Sequence, residues 1–181
     1  MKTFPSTART LLVIGIHREE LAFGEAVAAG LDRSRFDVLR IPEGLSGHHP
    51  RPDQRFHFDT LHRALYLQLL PHIQPRHERV IDLHTGLDPH GPGADIFSRD
   101  TARLAESLAR ASGIQPVPRM ISLFPGDGVT SAETVIPPEI WRNPHFLYVG
   151  VEIYLPETGA GRSIDRDYTQ ALLNAMSGMS V

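Results

Sequence analysis

Short apolar runs alternate along the chain with amphipathic segments that have the residue spacing of a helix. Apolar runs of strand length lie at residues 11–16, 36–41, 79–83, 119–123 and 146–155. Apolar positions three and four residues apart occur at residues 19–30, 58–70, 99–112 and 165–179. The first set predicts strands, and the second set predicts helices. Strands alternating with helices predict an α/β fold, with a mostly parallel (mixed) sheet and helices on both faces.

The segments between these elements are rich in Gly and Pro. Residues 42–52 and 88–93 are predicted to be loops, and residues 124–142 are predicted to be mostly loop with at most one helical turn. No internal repeat is visible. We therefore expect a single domain over residues 1–181.

The composition indicates a globular chain and restricts its chemistry. The 181 residues are 41% hydrophobic and 22% charged, which is typical of neither a disordered nor a membrane-embedded protein. The formal net charge of -3 gives no electrostatic reason to expect nucleic acid or anionic lipid as a partner. The absence of Cys excludes disulfides, zinc fingers, iron–sulfur clusters and thiol nucleophiles. A metal site would have to use carboxylates and some of the ten histidines.

The first apolar run also bears on location. It is only six residues long and is followed by a charged cluster, so it is too short for the core of a signal peptide or for a membrane span. We expect no targeting segment and a cytoplasmic protein.

Three strands are predicted to end in residues that can bind a metal or transfer a proton, where open α/β sheets bind their ligands. The first strand is followed by His17 and, three residues later, by Glu20. This spacing can bring an imidazole and a carboxylate to one cation from a strand–turn–helix corner. The alternative is a solvated helix start, with Glu19 and Glu20 at the end that favours negative charge.

The strand at residues 79–83 contains Asp82 and is followed by His84, which lies on the same face. A buried, ionised Asp82 needs a partner. One interpretation is that Asp82 caps a neighbouring loop and His84 hydrogen-bonds at the strand end. The other makes His84 a third metal ligand and Asp82 the group behind it that orients an imidazole.

The longest strand contains Glu152 within an apolar run. A carboxylate in a buried strand is explained if it faces a polar site, where it could act as the general base of metal-assisted hydrolysis. Alternatively, this is an edge strand and Glu152 lies in solvent. Glu157, in the following loop, competes for the role of base.

In this order, the three pieces resemble the zinc carboxypeptidase superfamily, and within it the succinylglutamate desuccinylase/aspartoacylase branch. That branch has a strand ending in Gly-x-His-x-x-Glu, which residues 15–20 match. A later strand ends in Asp-Leu-His-Thr, which residues 82–85 match letter for letter. A further strand carries a Glu between two apolar residues, as residues 151–153 do.

The resemblance implies a three-layer, zinc-carboxypeptidase-like sandwich and a zinc-dependent amide hydrolase with one Zn²⁺ per chain. It implies that His17, Glu20 and His84 bind the zinc and that Glu152 is the general base. The implied substrate is an N-acyl amino acid or a small peptide. An amidohydrolase of the N-formylglutamate or peptidoglycan type would use the same residues, and a degenerate member of the fold would bind a metabolite or a partner without turnover.

The match to the branch departs from its pattern in three places. Arg18 and Glu19 are bulkier than the usual residues inside the first motif. The branch's Asn-Arg pair, which binds the substrate carboxylate, has its nearest match in Arg55, preceded by Gln, with Arg51 as the alternative. We also expect the branch's C-terminal β domain to be absent, which would open the site to a larger substrate or to a second subunit, making a homo-oligomer plausible.

The remaining histidines carry less information, and the alternative for His48 and His49 is that their loop contacts the site. We expect His48 and His49 to lie in a surface loop. Four others are expected to be exposed on or beside one helix: His57, His62, His72 and His77. His90 and His145 are expected to lie in loops.

Overall fold

The computed structural model describes residues 7–48, 50–88, 93–111, 113–124 and 134–178. Six strands form one sheet: β1 (Thr10–Ile14), β2 (Phe36–Arg40), β3 (Arg79–Leu87), β4 (Ala94–Ser98), β5 (Arg119–Ser122) and β6 (Leu147–Leu155). Five α-helices accompany them: α1 (Leu21–Ala28), α2 (Arg55–Leu67), α3 (Thr101–Arg110), α4 (Pro138–Trp141) and α5 (Ser163–Ser177). Most elements lie where the hydrophobic pattern predicts them.

The strand order across the sheet is β2-β1-β3-β6-β4-β5. Neighbouring strands are parallel except at the β4–β6 pair, which is antiparallel. The sheet is therefore mixed and mostly parallel, as expected. The carboxyl ends of β1, β3 and β6 lie side by side at one edge of the sheet, so the three sequence motifs come close together.

The helices cover both faces of the sheet, because each strand buries apolar residues on either side. On one face, α1, α3 and α5 pack a core that includes Phe23, Leu104 and Leu173. On the other face, α2 and α4 pack a second core that includes Tyr66 and Trp141. The three-layer sandwich is confirmed.

Two features differ from the expected elements. Strand β4 was not predicted, because two of its five residues, Asp95 and Ser98, are polar yet fully buried. Each has a partner: Arg119 and Tyr154 hydrogen-bond to Asp95, and Ser98 donates to the Tyr148 carbonyl. Strand β3 continues four residues beyond its predicted end, because its last residues pair with the last residues of β6. Part of the predicted loop, residues 89–92, lies outside the described residues.

Within the described part of the chain, no helix combines the length and the apolar character needed to cross a lipid bilayer.

Candidate metal centre

The first corner of the site is built by the turn that leaves β1. Gly15 has a φ of 86°, and a side chain there would come within 2.6 Å of the Ile41 carbonyl oxygen, so glycine is required. His17 then forms an isolated parallel bridge with Leu45. A 3₁₀ turn over Arg18–Glu20 follows, in which the Glu20 amide donates to the His17 carbonyl at 3.1 Å. This turn brings the side chains of His17 and Glu20 together.

Three predicted metal ligands converge on one point. The Glu20 carboxylate lies 2.9 Å from Nδ1 of His17 through one oxygen and 3.0 Å from Nδ1 of His84 through the other. One ligand atom from each of the three residues lies within 4.8 Å of the other two. Glu20 is 9% exposed, although it carries a carboxylate. This places the predicted His17–Glu20–His84 cluster in a partly buried pocket and argues against a solvated helix start.

The electrostatics of the cluster favour an ionised Glu20. Burial raises the pKa of this carboxyl, but hydrogen bonds from His17 and His84 outweigh it and lower the pKa from 4.5 to about 2. Burial lowers the pKa of His84, but the charge and hydrogen bond of Asp82, joined by those of Glu20, raise it well above 6.5. The ionised carboxylate of Glu20 therefore lies between the imidazoles of His17 and His84.

Asp82 lies behind His84, as the second interpretation of the sequence proposed. It is fully buried, and its Oδ2 lies 2.9 Å from Nε2 of His84. The same oxygen accepts hydrogen bonds of 2.8 Å from the hydroxyls of Tyr66 and Tyr148. Since Nε2 of His84 faces Asp82, Nδ1 faces Glu20. Asp82 therefore contacts the imidazole of His84 and two tyrosine hydroxyls, and its role in orienting the imidazole stays a prediction.

His62 contradicts the prediction that it is exposed: it is 3% exposed and contacts the cluster. Its Nδ1 donates to the Phe58 carbonyl at 2.8 Å, which leaves Nε2 as an acceptor for Nε2–H of His17 at 3.1 Å. Burial lowers the pKa of His62, which favours this neutral form. The imidazoles of His17 and His84 thus each have a partner at Nε2 and present Nδ1 to Glu20. The i, i+4 spacing of Phe58, His62 and Tyr66 was the sequence signal for this face of α2.

His77 is the second histidine whose predicted exposure is wrong. It is 2% exposed, accepts a hydrogen bond from the Gln74 amide at Nδ1, and contacts Asp37 through Nε2 at 2.8 Å. These hydrogen bonds connect the segment before β3 to β2, at the opposite end of the strands from the cluster. His48, His57 and His72 are exposed, as expected, and His145 lies in a loop, as expected. His49 and His90 lie outside the described residues.

Glu152 lies beside the cluster, on the neighbouring strand. The β3–β6 register pairs it with His84, and the β4–β6 register pairs it with Asp95, so the three side chains share one face. No other described side chain hydrogen-bonds to its carboxylate. Burial raises the pKa of Glu152, and the nearby Asp95 and Glu20 add to this, while the charge of His84 opposes it. A carboxylate with a raised pKa is suited to accept a proton.

The other candidate residues lie outside the cluster. Glu157 is exposed in the segment after β6. Arg51 is exposed before the 3₁₀ turn that leads into α2. The side chain of Arg55 is 73% exposed and lies 3.8 Å from Asp59. Neither arginine lines the cavity next to Glu152. Their role in binding a substrate carboxylate stays a prediction.

Comparisons with known proteins agree with the fold. No protein-family model matches the sequence, and no curated protein matches it significantly. Murine aminoacylase 3 has a similar structure, with a TM-score of 0.52 and 15% identity over 97% of this chain and 64% of its own. For a metallo-carboxypeptidase from Pseudomonas aeruginosa the TM-score is 0.52 and the identity is 12%, over 97% of this chain and 58% of the carboxypeptidase. For succinylglutamate desuccinylase from Vibrio parahaemolyticus the TM-score is 0.49 and the identity is 14%, over 99% of this chain and 70% of the desuccinylase.

At these identities the likenesses to aminoacylase 3 and to the metallo-carboxypeptidase show a shared fold alone, which is the carboxypeptidase-like fold that we expected. The chain spans 64% of the length of aminoacylase 3 and 58% of the carboxypeptidase. The shared fold therefore does not by itself establish an activity for this chain.

Proposed function

We propose that this chain is a zinc-dependent amide hydrolase that acts on an N-acyl amino acid or a small peptide. The observation that carries the proposal is the convergence of His17, Glu20 and His84 next to Glu152, a carboxylate with a raised pKa and no side-chain partner among the described residues. A fold shared with a deacylase and a metallo-carboxypeptidase supports the same reaction class.

The donor set fits zinc. Two imidazole nitrogens and one carboxylate are a ligand set that catalytic zinc sites use, and three protein ligands leave a fourth position open. The geometry adds a specific argument, because Nε2 of each imidazole is engaged by Asp82 or His62. The Nδ1 atoms that remain both point to the Glu20 carboxylate. His17, Glu20 and His84 would hold the ion.

Bound zinc would supply a Lewis acid that polarises the amide carbonyl and lowers the pKa of water. Glu152 takes a proton from the attacking water as the new carbon–oxygen bond forms. It then passes that proton to the amine nitrogen as the carbon–nitrogen bond breaks. The products are a carboxylate and an amine. Asp82 and His62 keep the two imidazoles in place throughout.

Removal of the metal should abolish activity reversibly. Treatment with a chelator is expected to stop hydrolysis of N-acyl amino acids, and one equivalent of Zn²⁺ should restore it. Mass spectrometry of the purified protein should find about one zinc per chain. Activity that survives complete removal of metal would contradict the proposal, as would a protein that takes up no zinc.

His62 is expected to act as a positioning residue for His17. Replacing His62 with Leu removes the acceptor for Nε2–H and should weaken zinc binding about 10- to 100-fold, the effect of losing a group that orients a metal ligand. His62→Gln offers an amide oxygen at this position and should recover most of the affinity. Competition with a chromogenic chelator measures both variants. Equal zinc affinities for His62→Leu and His62→Gln would contradict this role.

A further inference from the structure

The cavity next to Glu152 is largely apolar. It has a volume of about 350 Å³, within the range of small-molecule sites. The polar part of its lining consists of the three residues of the cluster together with His62, Thr134 and Glu152. Apolar side chains from four parts of the chain contribute the rest: Phe58, Phe97, Leu123, Val135 and Ile136. Tyr66 and Tyr148 add ring surface, because their hydroxyls are turned to Asp82.

Gly150 contributes to the open space of this cavity. It lies two residues before Glu152 on the same face of β6, opposite Phe97 in the β4–β6 register. A Cβ added to Gly150 would lie 3.4 Å from Cβ of Phe97 and 3.5 Å from the Tyr148 hydroxyl, which is ordinary contact. Its φ is not positive. Neither packing nor backbone conformation therefore requires glycine here, whereas a larger residue would occupy part of the cavity.

The charges around the cavity disfavour an acidic occupant. Among the described residues that line it there is no Lys or Arg, and the charged groups include the carboxylates of Glu20 and Glu152. An acidic side chain bound in this space away from the metal ligands would lose its hydration without gaining an ion pair to a Lys or Arg among the described lining residues. An apolar group would instead bury its surface against aromatic and branched side chains.

We infer that this cavity binds an apolar group of about phenyl size, adjacent to the amide that is cleaved, and that Gly150 sets the size of that group. The inference rests on the proposed function and names its substrate class: N-acyl amino acids or small peptides with a bulky apolar substituent. The substituent can belong to the acyl group or to the amino acid, since both flank the amide.

Three substrates test the inference and separate these two sources. N-acetylglycine is small on both sides, N-benzoylglycine is bulky on the acyl side, and N-acetylphenylalanine is bulky on the amine side. We expect one of the two bulky compounds to have a kcat/KM about 10- to 150-fold above that of N-acetylglycine, the factor for burying a Phe-sized group. The Gly150→Ala variant should lower this ratio about tenfold, the order of effect of one methyl group in a substrate pocket.

Gly178→Ala is the matched control. Gly178 ends α5 with a negative φ, and an added Cβ would lie 3.5 Å from Arg35, which is again ordinary contact. This variant should keep the wild-type ratio. Equal kcat/KM values for all three substrates would overturn the inference and leave the hydrolase function standing.

Binding measurements decide the case in which the zinc-loaded protein hydrolyses none of the three compounds, which would contradict the proposed function for N-acyl amino acids. Isothermal titration calorimetry with the same compounds then tests the cavity alone. Binding of one bulky compound that is tighter than that of N-acetylglycine, and is weakened by Gly150→Ala but not by Gly178→Ala, would support the inference. Absence of binding, or equal binding by all proteins, would overturn it.

Discussion

The Glu152→Gln variant should lose about 10²- to 10⁴-fold in kcat while it still binds one zinc per chain, as expected for removal of a general base. The amide has nearly the same shape as the carboxylate, but it cannot accept the proton of the attacking water. Glu152 is not among the three clustered ligands, so the metal site should remain intact. Steady-state kinetics and metal analysis on the same sample measure the two effects.

Glu157→Gln is the matched control for this experiment. Glu157 is exposed after β6, so its replacement should leave kcat and zinc content close to those of the wild type. Full activity in Glu152→Gln would show that Glu152 is not the base. If Glu157→Gln were inactive at the same time, the base would be the residue in the loop.

The His84→Ala variant should lose bound zinc and, with it, the stabilisation that zinc gives to the fold. A ligand that binds only the folded state at 100 times its Kd adds about 2.7 kcal/mol to the free energy of unfolding. For a chain of this size, that corresponds to a Tm increase of about 5–10 °C. We expect this increase in the wild type on addition of zinc and no increase in His84→Ala. Metal analysis and thermal unfolding, with and without zinc, measure the effect.

His72→Ala controls for the removal of an imidazole. His72 is exposed in the 3₁₀ turn after α2, away from the cluster, so this variant should respond to zinc as the wild type does. If zinc raised the Tm of His84→Ala as much as that of the wild type, zinc would be binding elsewhere. If His72→Ala lost the response instead, the ligand set proposed here would be wrong.

The sequence was sufficient to predict the polar corner of the site because of how parallel sheets are built. His17, His84 and Glu152 each come at or near the carboxyl end of a predicted strand, and β1, β3 and β6 are neighbours in the sheet. Glu20 follows His17 by one turn, so local spacing alone brings it to the same point. These relationships depend on strand periodicity and direction, which hydrophobic patterns encode.

The parts that were missed depend on contacts between distant segments. His62 lies on an amphipathic helix, and its spacing does not reveal that α2 docks against His17, which is 45 residues earlier. Strand β4 can bury two polar residues, Asp95 and Ser98, because groups from β5 and β6 form hydrogen bonds with them. Asp82 and Glu152 were recognisable because they interrupt apolar runs, whereas Asp95 and Ser98 lie in a short segment whose burial depends on partners that tertiary packing sets.

Helix α2 connects the proposed metal centre to the packing on one face of the sheet. His62 and Tyr66 lie one turn apart on this helix. His62 hydrogen-bonds to the imidazole of His17, and Tyr66 hydrogen-bonds to Asp82, which contacts the imidazole of His84. A detached α2 would leave both imidazoles without this support at once. By thermodynamic reciprocity, an ion that prefers the supported imidazoles must also hold α2 onto the sheet. Local opening of this helix should therefore become rarer when an ion binds, and hydrogen exchange at the backbone amides of α2 should report the occupancy of a site for which we propose no ligand from this helix.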